Sequence, residues 1–126
     1  MDEKDREIRI GKNRLYLSED NTLHISDVGK VDEKIAILCK NAAFKLSSMV
    51  EGKVNVFIDI NQAEKQSAEV RKGWKEFSEH EKFGKIALFG MHPVARVVAS
   101  FVMGVSKKKD MRFFKTKEEA LAWLKE

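Results

Sequence analysis

The chain has one cysteine, one proline and one tyrosine in 126 residues. The lone Cys39 has no internal partner, so no disulfide can staple the fold, which matches a reducing cytoplasm. No apolar run approaches the roughly 20 residues that cross a bilayer, so no membrane span is expected. The opening Met1-Asp2-Glu3-Lys4-Asp5-Arg6-Glu7 lacks the apolar core of a signal peptide, so export is not expected and the cytoplasm is. Repeats, low-complexity tracts and a Gly-rich nucleotide loop are all missing. So is a strong excess of one charge: 24 basic and 20 acidic residues are interspersed, for a net +4. Such mixing describes a solvated surface, and no nucleic-acid partner is expected. His24, His80 and His92 have no metal-ligand spacing to one another or to Cys39, so neither a metal nor a cofactor is expected. Each histidine reads as a surface or capping residue.

What is present is a hydrophobic content of 43% beside 35% charged residues, the balance of one globular domain. Residues 1–11 read as a charged flexible tail and 12–126 as the domain. Arg14–Leu17 and Leu23–Val28 read as strands joined by the turn Ser18-Glu19-Asp20-Asn21. Asp32 caps a helix to about Val50, with Ile35, Leu38, Cys39, Ala42, Leu46, Met49 and Val50 on its core face. Val54–Ile60 is a buried strand, and Ser67 opens a helix to about Lys82. That helix is thinly anchored by Val70, Trp74 and Phe77 beside Gly73, and is expected to be more mobile than its neighbours. Ile86–Phe89 is a further buried strand, broken by Gly90, and Pro93 suits the first position of the next helix. That helix carries a wide apolar arc (Val94, Ala95, Val97, Val98, Ala99, Phe101, Val102), with Arg96, Ser100 and Met103 on the other side. Burial of the arc is the expected reason, and a flank offered to a partner the alternative. Met111–Phe114 is the last strand. Thr116 and Glu119 form a capping box for a final helix with Ala120, Leu121, Trp123 and Leu124 inward.

The predicted order is β-β-α-β-α-β-α-β-α: an entering hairpin, then helical crossovers that make the later strands parallel. The fold class is α/β, a mixed sheet of about five strands with about four helices. The runs Val56-Phe57-Ile58-Asp59-Ile60, Lys85-Ile86-Ala87-Leu88-Phe89-Gly90 and Met111-Arg112-Phe113-Phe114, with Glu118-Glu119-Ala120-Leu121-Ala122-Trp123-Leu124, resemble the STAS domain. The nearest likeness is to the small STAS/SEC14-like proteins related to the sporulation anti-sigma-factor antagonist. The resemblance implies a non-enzymatic module working through regulatory protein–protein contact. It also places Ser67 near the family's phosphosite. Here Gln66-Ser67-Ala68-Glu69 replaces the Asp-Ser-Ser-Gly type of motif, and the Gly-Leu-Gly that admits a partner is missing, so a plain N-cap is the expected role of Ser67. The Sec14 side of the resemblance implies an alternative, a small-ligand or lipid carrier with an apolar pocket beneath the Ser67–Lys82 helix.

Two further sites are legible. Gly90, His92 and Arg96 surround a helix start that would suit an anion or nucleotide phosphate; the competing reading is a structural turn with His92 and Arg96 in solvent. Ile37 and Phe44 project away from the predicted core face of their helix, which points to a protein partner or a homodimer contact. Asp59 at a strand end has no nucleophile or base paired with it, and catalysis is not expected. Lys107, Lys108, Lys109, Arg112 and Lys115 form a basic loop cluster, read as solvated.

Overall fold

The computed structural model describes residues 6–64, 66–105 and 109–126, with the side chains of residues 101, 102 and 105 left aside. Six strands and four helices follow one another as β1 (Glu7–Ile10), β2 (Asn13–Leu17), β3 (Leu23–Gly29), α1 (Glu33–Ser47), β4 (Val54–Ala63), α2 (Ala68–Glu79), β5 (Phe83–Phe89), α3 (Pro93–Val105), β6 (Met111–Phe114) and α4 (Lys117–Lys125). The strands form one sheet in sequence order. The β1–β2 and β2–β3 pairs are antiparallel, and β3 through β6 run parallel.

That order follows from the connections. Each parallel pair is joined by one helix, and crossovers of constant hand that always step the same way put their helices on one face. α1, α2 and α3 therefore lie side by side, α1 over β1–β3 and α3 over β4 and β6. α4 covers β4, β5 and β6 from the opposite face, around a separate small core of Phe57, Ala87, Phe89, Ala120, Trp123 and Leu124. The larger core fills the three-helix side, where Leu15, Ile25, Val56, Ile58, Ile86 and Leu88 meet the helices.

Local chemistry sets the element ends. Asn21 takes a positive φ of 63° in the tight turn between β2 and β3, where Asn21 N–H donates to the Ser18 carbonyl at 2.9 Å. Asp32, Ser67 and Thr116 each accept the N–H of the residue three positions on, at 2.8, 3.2 and 3.2 Å, and so cap α1, α2 and α4.

The sheet has one strand more than expected. β1 falls within the stretch expected as a flexible tail, where Arg9 and Arg14 pair across the ladder, Ile8 and Ile10 pack on the core, and Arg14 reaches Glu7. A hairpin with β2 recruits these residues despite their charge, since every second side chain of a half-buried edge strand is free to meet water. Residues 1–5 lie outside the described residues.

The core face of α1 also differs from expectation. Cys39, Ala42, Ala43, Leu46 and Ser47 are buried, whereas Leu38 and Met49 are exposed. The cause is α2, which packs against one flank of α1. It covers Phe44 and leaves Leu38 uncovered on the other flank.

Candidate functional site

α1 and α2 do not close on each other along their whole length. Between them lies a cleft of about 300 Å³. Its apolar lining comes from Ile25 on the sheet, Ala36, Cys39 and Ala43 on α1, and Val70, Gly73 and Phe77 on α2. Ile37 and Trp74 stand at its sides, and the charged residues Glu33, Lys40, Glu69, Lys72 and Glu76 line it where it meets solvent. Lys40 and Glu76 join the two walls at 3.4 Å. The small residues Ala36 and Ala43 on α1 and Gly73 on α2 leave the space between the walls unfilled. Burial, with a contribution from nearby Asp27, pushes the Cys39 thiol up to about 12, so this wall residue is an apolar surface rather than a nucleophile.

Phe44 is not on an outer face. It packs against Phe77, His80 and Phe83, with ring centroids 6.0, 4.8 and 5.4 Å away. The expected Ile37/Phe44 pair is therefore divided: Ile37 is 59% exposed beside the cleft, and Phe44 is part of the seam between α1 and α2. Helical spacing places the two side chains correctly relative to each other. It carries no information on which flank the next helix would cover.

The junction before α3 is built for packing. The Gly90 N–H donates to the Phe114 carbonyl at 3.1 Å, and the Met91 N–H donates to Asn61 Oδ1 at 2.6 Å. Two amides that could have met an anion are thus taken. His92 and Arg96 are exposed, and the Arg96 N–H reaches the His92 carbonyl at 3.3 Å. The structure brings His92 and Arg96 to the same surface, while Gly90 is buried beneath them.

The apolar arc of α3 is split. Ala95, Val98 and Ala99 are buried, but Val94 and Val97 are 59% and 52% exposed, and Met91 just before the helix is 66% exposed. At three-residue spacing these form one stripe on the solvent side. Of the arc, Ala95, Val98 and Ala99 are accounted for by burial and Val94 and Val97 form a presented flank; the side chains of Phe101 and Val102 lie outside the described residues. Ser67 is exposed, with its hydroxyl engaged as the α2 cap. Asp59 is occupied locally, accepting from the Asn61 backbone and side-chain N–H groups at 3.0 and 2.9 Å.

Two polar groups on β3 are buried, His24 against expectation and Asp27 without one. His24 is stacked on Tyr16, 4.5 Å away at 10°, and lies 5.3 Å from Phe57. It is buried, not a surface or capping residue, and burial pushes its imidazole down to about 4. The available signal was register: Tyr16 and Phe57 flank it across the ladders. His80 does cap, as its Nδ1 accepts the Lys82 N–H at 3.0 Å at the end of α2. Asp27 is also buried, with Oδ1 lacking a hydrogen-bond partner, and burial with the nearby Asp59 carboxylate pushes it up to about 7. Alternation along β3 could have exposed it, since Asp27 follows the inward Leu23 and Ile25 at even spacing. Of the basic cluster, Lys109 and Arg112 are exposed, with the Arg112 guanidinium 5.3 Å from the Trp123 ring; Lys107 and Lys108 lie outside the described residues.

Among the described residues, no group of three or more His, Cys, Asp or Glu side chains is arranged to hold a metal ion, and no helix is long and apolar enough to cross a membrane.

Comparison with known proteins agrees with this architecture. A solved structure of an uncharacterized protein of the DUF3478 family from Shewanella loihica PV-4, described as having a SpoIIAA-like fold, superposes with a TM-score of 0.61. The match covers 94% of this chain and 90% of that one at 16% sequence identity, a level that speaks for the fold alone. No curated protein matches the chain. The STAS-like architecture read from the sequence is therefore borne out, with a sixth strand added. Over residues 16–126 the chain matches the family model described as a domain of unknown function, DUF7793, and it belongs to that family.

Proposed function

We propose that this protein is a non-enzymatic binding module whose work is regulatory protein–protein recognition, carried out in the cytoplasm. The observation that carries the reading is the stripe of Met91, Val94 and Val97. Three large apolar side chains held in water on one side of a helix start are what a partner covers, since their burial stabilises a complex by about 25 cal/mol per Å² of apolar surface. The STAS-like architecture supports the same reading. The double variant Val94→Asp, Val97→Asp tests it by crosslinking and pull-down from cells of the source organism, beside light scattering for self-association. Loss of a partner or of a dimer, with an unchanged circular dichroism spectrum, is the expected result. A variant that keeps every contact of the wild type overturns the proposal.

The cleft supports a second reading, a small-ligand carrier. An apolar lining with charged groups at the opening is the usual composition of a ligand pocket. One wall of the cleft is α2, the helix beneath which the Sec14 side of the resemblance implies an apolar pocket, and that nearness supports the reading. Native mass spectrometry of protein purified from its own source tests this reading, and a mass equal to the bare chain in every preparation counts against it.

A further inference from the structure

The cleft between α1 and α2 has a wall residue that neither helix formation nor packing explains. Gly73 sits in the middle of α2, in ordinary helical conformation, and a Cβ added there would meet nothing within 4 Å. Glycine in a helix interior is unfavourable, because it loses more backbone freedom on folding than any other residue. Where glycine is needed in this fold, the need is visible: Gly11, Gly29 and Gly52 have positive φ, and Gly84 and Gly90 are pressed against neighbours. Gly73 has neither reason, and unlike Gly104, which also has open space around it, Gly73 lies in the middle of its helix rather than in the last turn. It does line the cleft, opposite Ala36 and Ala43. A side chain at this position would have open space to occupy on the α2 wall of the cleft.

The dimensions of that space select the occupant. A cavity of about 150 Å³ holds a single benzene-sized ring, and this one has about 300 Å³. That is room for one fused ring pair, at the lower end of the range of roughly 300–1,000 Å³ for ligand pockets. A long acyl chain would have to leave through the opening. The Lys40–Glu76 pair ties the walls across the cleft, and Glu33, Glu69 and Lys72 leave no single sign of charge to greet an ionic head group. Trp74 and Phe77 stand edge to face, 5.5 Å apart at 85°, and supply aromatic surface from α2. We infer that the α1/α2 cleft binds a compact, uncharged aromatic molecule of about two fused rings, with Gly73 as the residue that admits it. The inference rests on the second reading above, in which the cleft is a ligand site, and narrows it from lipid to a ring-sized ligand.

Indole and palmitate serve as probes of the two chemistries, titrated by calorimetry or ligand-observed NMR into the wild type, Gly73→Leu and Ala36→Leu. The two variants fill the cleft from opposite walls, and circular dichroism with urea unfolding confirms that at least one of them is folded. Indole binding by the wild type that weakens at least tenfold in a folded filled variant supports the inference. Palmitate binding that is lost in the filled variant, without indole binding, keeps the cleft as a site and overturns the ring-sized ligand. Absence of binding by both probes, or binding equal in wild type and folded filled variants, overturns the cleft as a ligand site.

Discussion

Gly90 lies so close to Ala95 that a methyl group on residue 90 would overlap the Ala95 side chain, with Ile60 and Phe113 also in contact at 3.4 and 3.5 Å. The glycine lets the end of β5 pass directly beneath the first turn of α3. Gly90→Ala is therefore expected to destabilise the protein by about 1–3 kcal/mol, the usual cost of forcing a methyl into a packed site. Ala95→Gly in the same chain should recover part of the loss, less the roughly 1 kcal/mol that glycine costs within a helix. Urea unfolding of the two single variants and the double variant gives the coupling directly. Additive losses would mean that the two residues do not meet.

The division of Ile37 from Phe44 gives a second contrast. Phe44→Ala removes a ring from the seam with Phe77, His80 and Phe83, and a loss of about 2–4 kcal/mol is expected for a half-buried aromatic core residue. Ile37→Lys changes an exposed position and should stay within about 0.5 kcal/mol of wild type. Thermal unfolding of both variants decides it. Equal effects would return both residues to one surface.

Most of the fold could be read from the chain because the signals were local. The Asp32, Ser67 and Thr116 caps, the Gly90 break and the apolar runs of β4 and β5 each depend on residues within one turn or one strand. The failures were of another kind. Which flank of α1 is covered depends on α2, some 30 residues later, so Phe44 and Leu38 exchanged places. Glu7–Ile10 pairs only because β2 offers it an edge. The cleft is a property of two helices that fail to meet, and its one sequence mark, Gly73, reads along the chain as a neighbour of the apolar stripe and not as an opening. His24 followed the polar alternation of its strand, but the residues beside it in the sheet are aromatic.

His24 and Asp27 make opposite contributions to the pH dependence of stability. For His24, burial lowers the imidazole from 6.5 to about 4, so between these values the unfolded chain binds more protons and stability rises with pH. For Asp27, burial raises the carboxyl from 3.8 to about 7, so between these values the folded chain holds the extra proton and stability falls as pH rises. Across their shared window the two slopes offset each other in the wild type. Asp27→Asn should unmask the His24 slope, with urea midpoints climbing from about pH 4.5 to 6.5, and His24→Phe should unmask the falling one. Above pH 7, Asp27→Asn should also stabilise the protein by on the order of 1–3 kcal/mol, because the wild type then keeps a charge buried with an unpaired oxygen. Glu7 and Asp20 are held below their ordinary carboxylate values, by Arg14 and by Ser18, so their contributions are lost as pH falls, in the same sense in all three proteins. Parallel slopes in all three proteins would contradict the assignment.

Asn55 joins three parts of the fold at a bulge, where it alone on β4 faces Gly84 and Lys85 on β5. Its Oδ1 accepts the Lys85 N–H at 2.9 Å, and its Nδ2 donates to the Leu124 carbonyl at 2.9 Å in the last turn of α4. Lys85 completes the attachment through its Nζ, which donates to the backbone oxygens of Trp123 and Glu126 at 3.0 and 2.9 Å. Asn55→Ala leaves the Lys85 amide and the Leu124 carbonyl without these partners, and a loss of about 1–3 kcal/mol is expected. The loss should be greatest at the end of α4, where amide hydrogen exchange quickens more than in α1 or α2. Gly84 supplies the internal check. A methyl there would run into Asn55 Oδ1, so Gly84→Ala should be harmful in the wild type and nearly harmless once Asn55 is alanine. If Gly84→Ala costs the same in both backgrounds, the side chain of Asn55 is not what holds the bulge, and α4 is anchored by Lys85 and the small aromatic core alone.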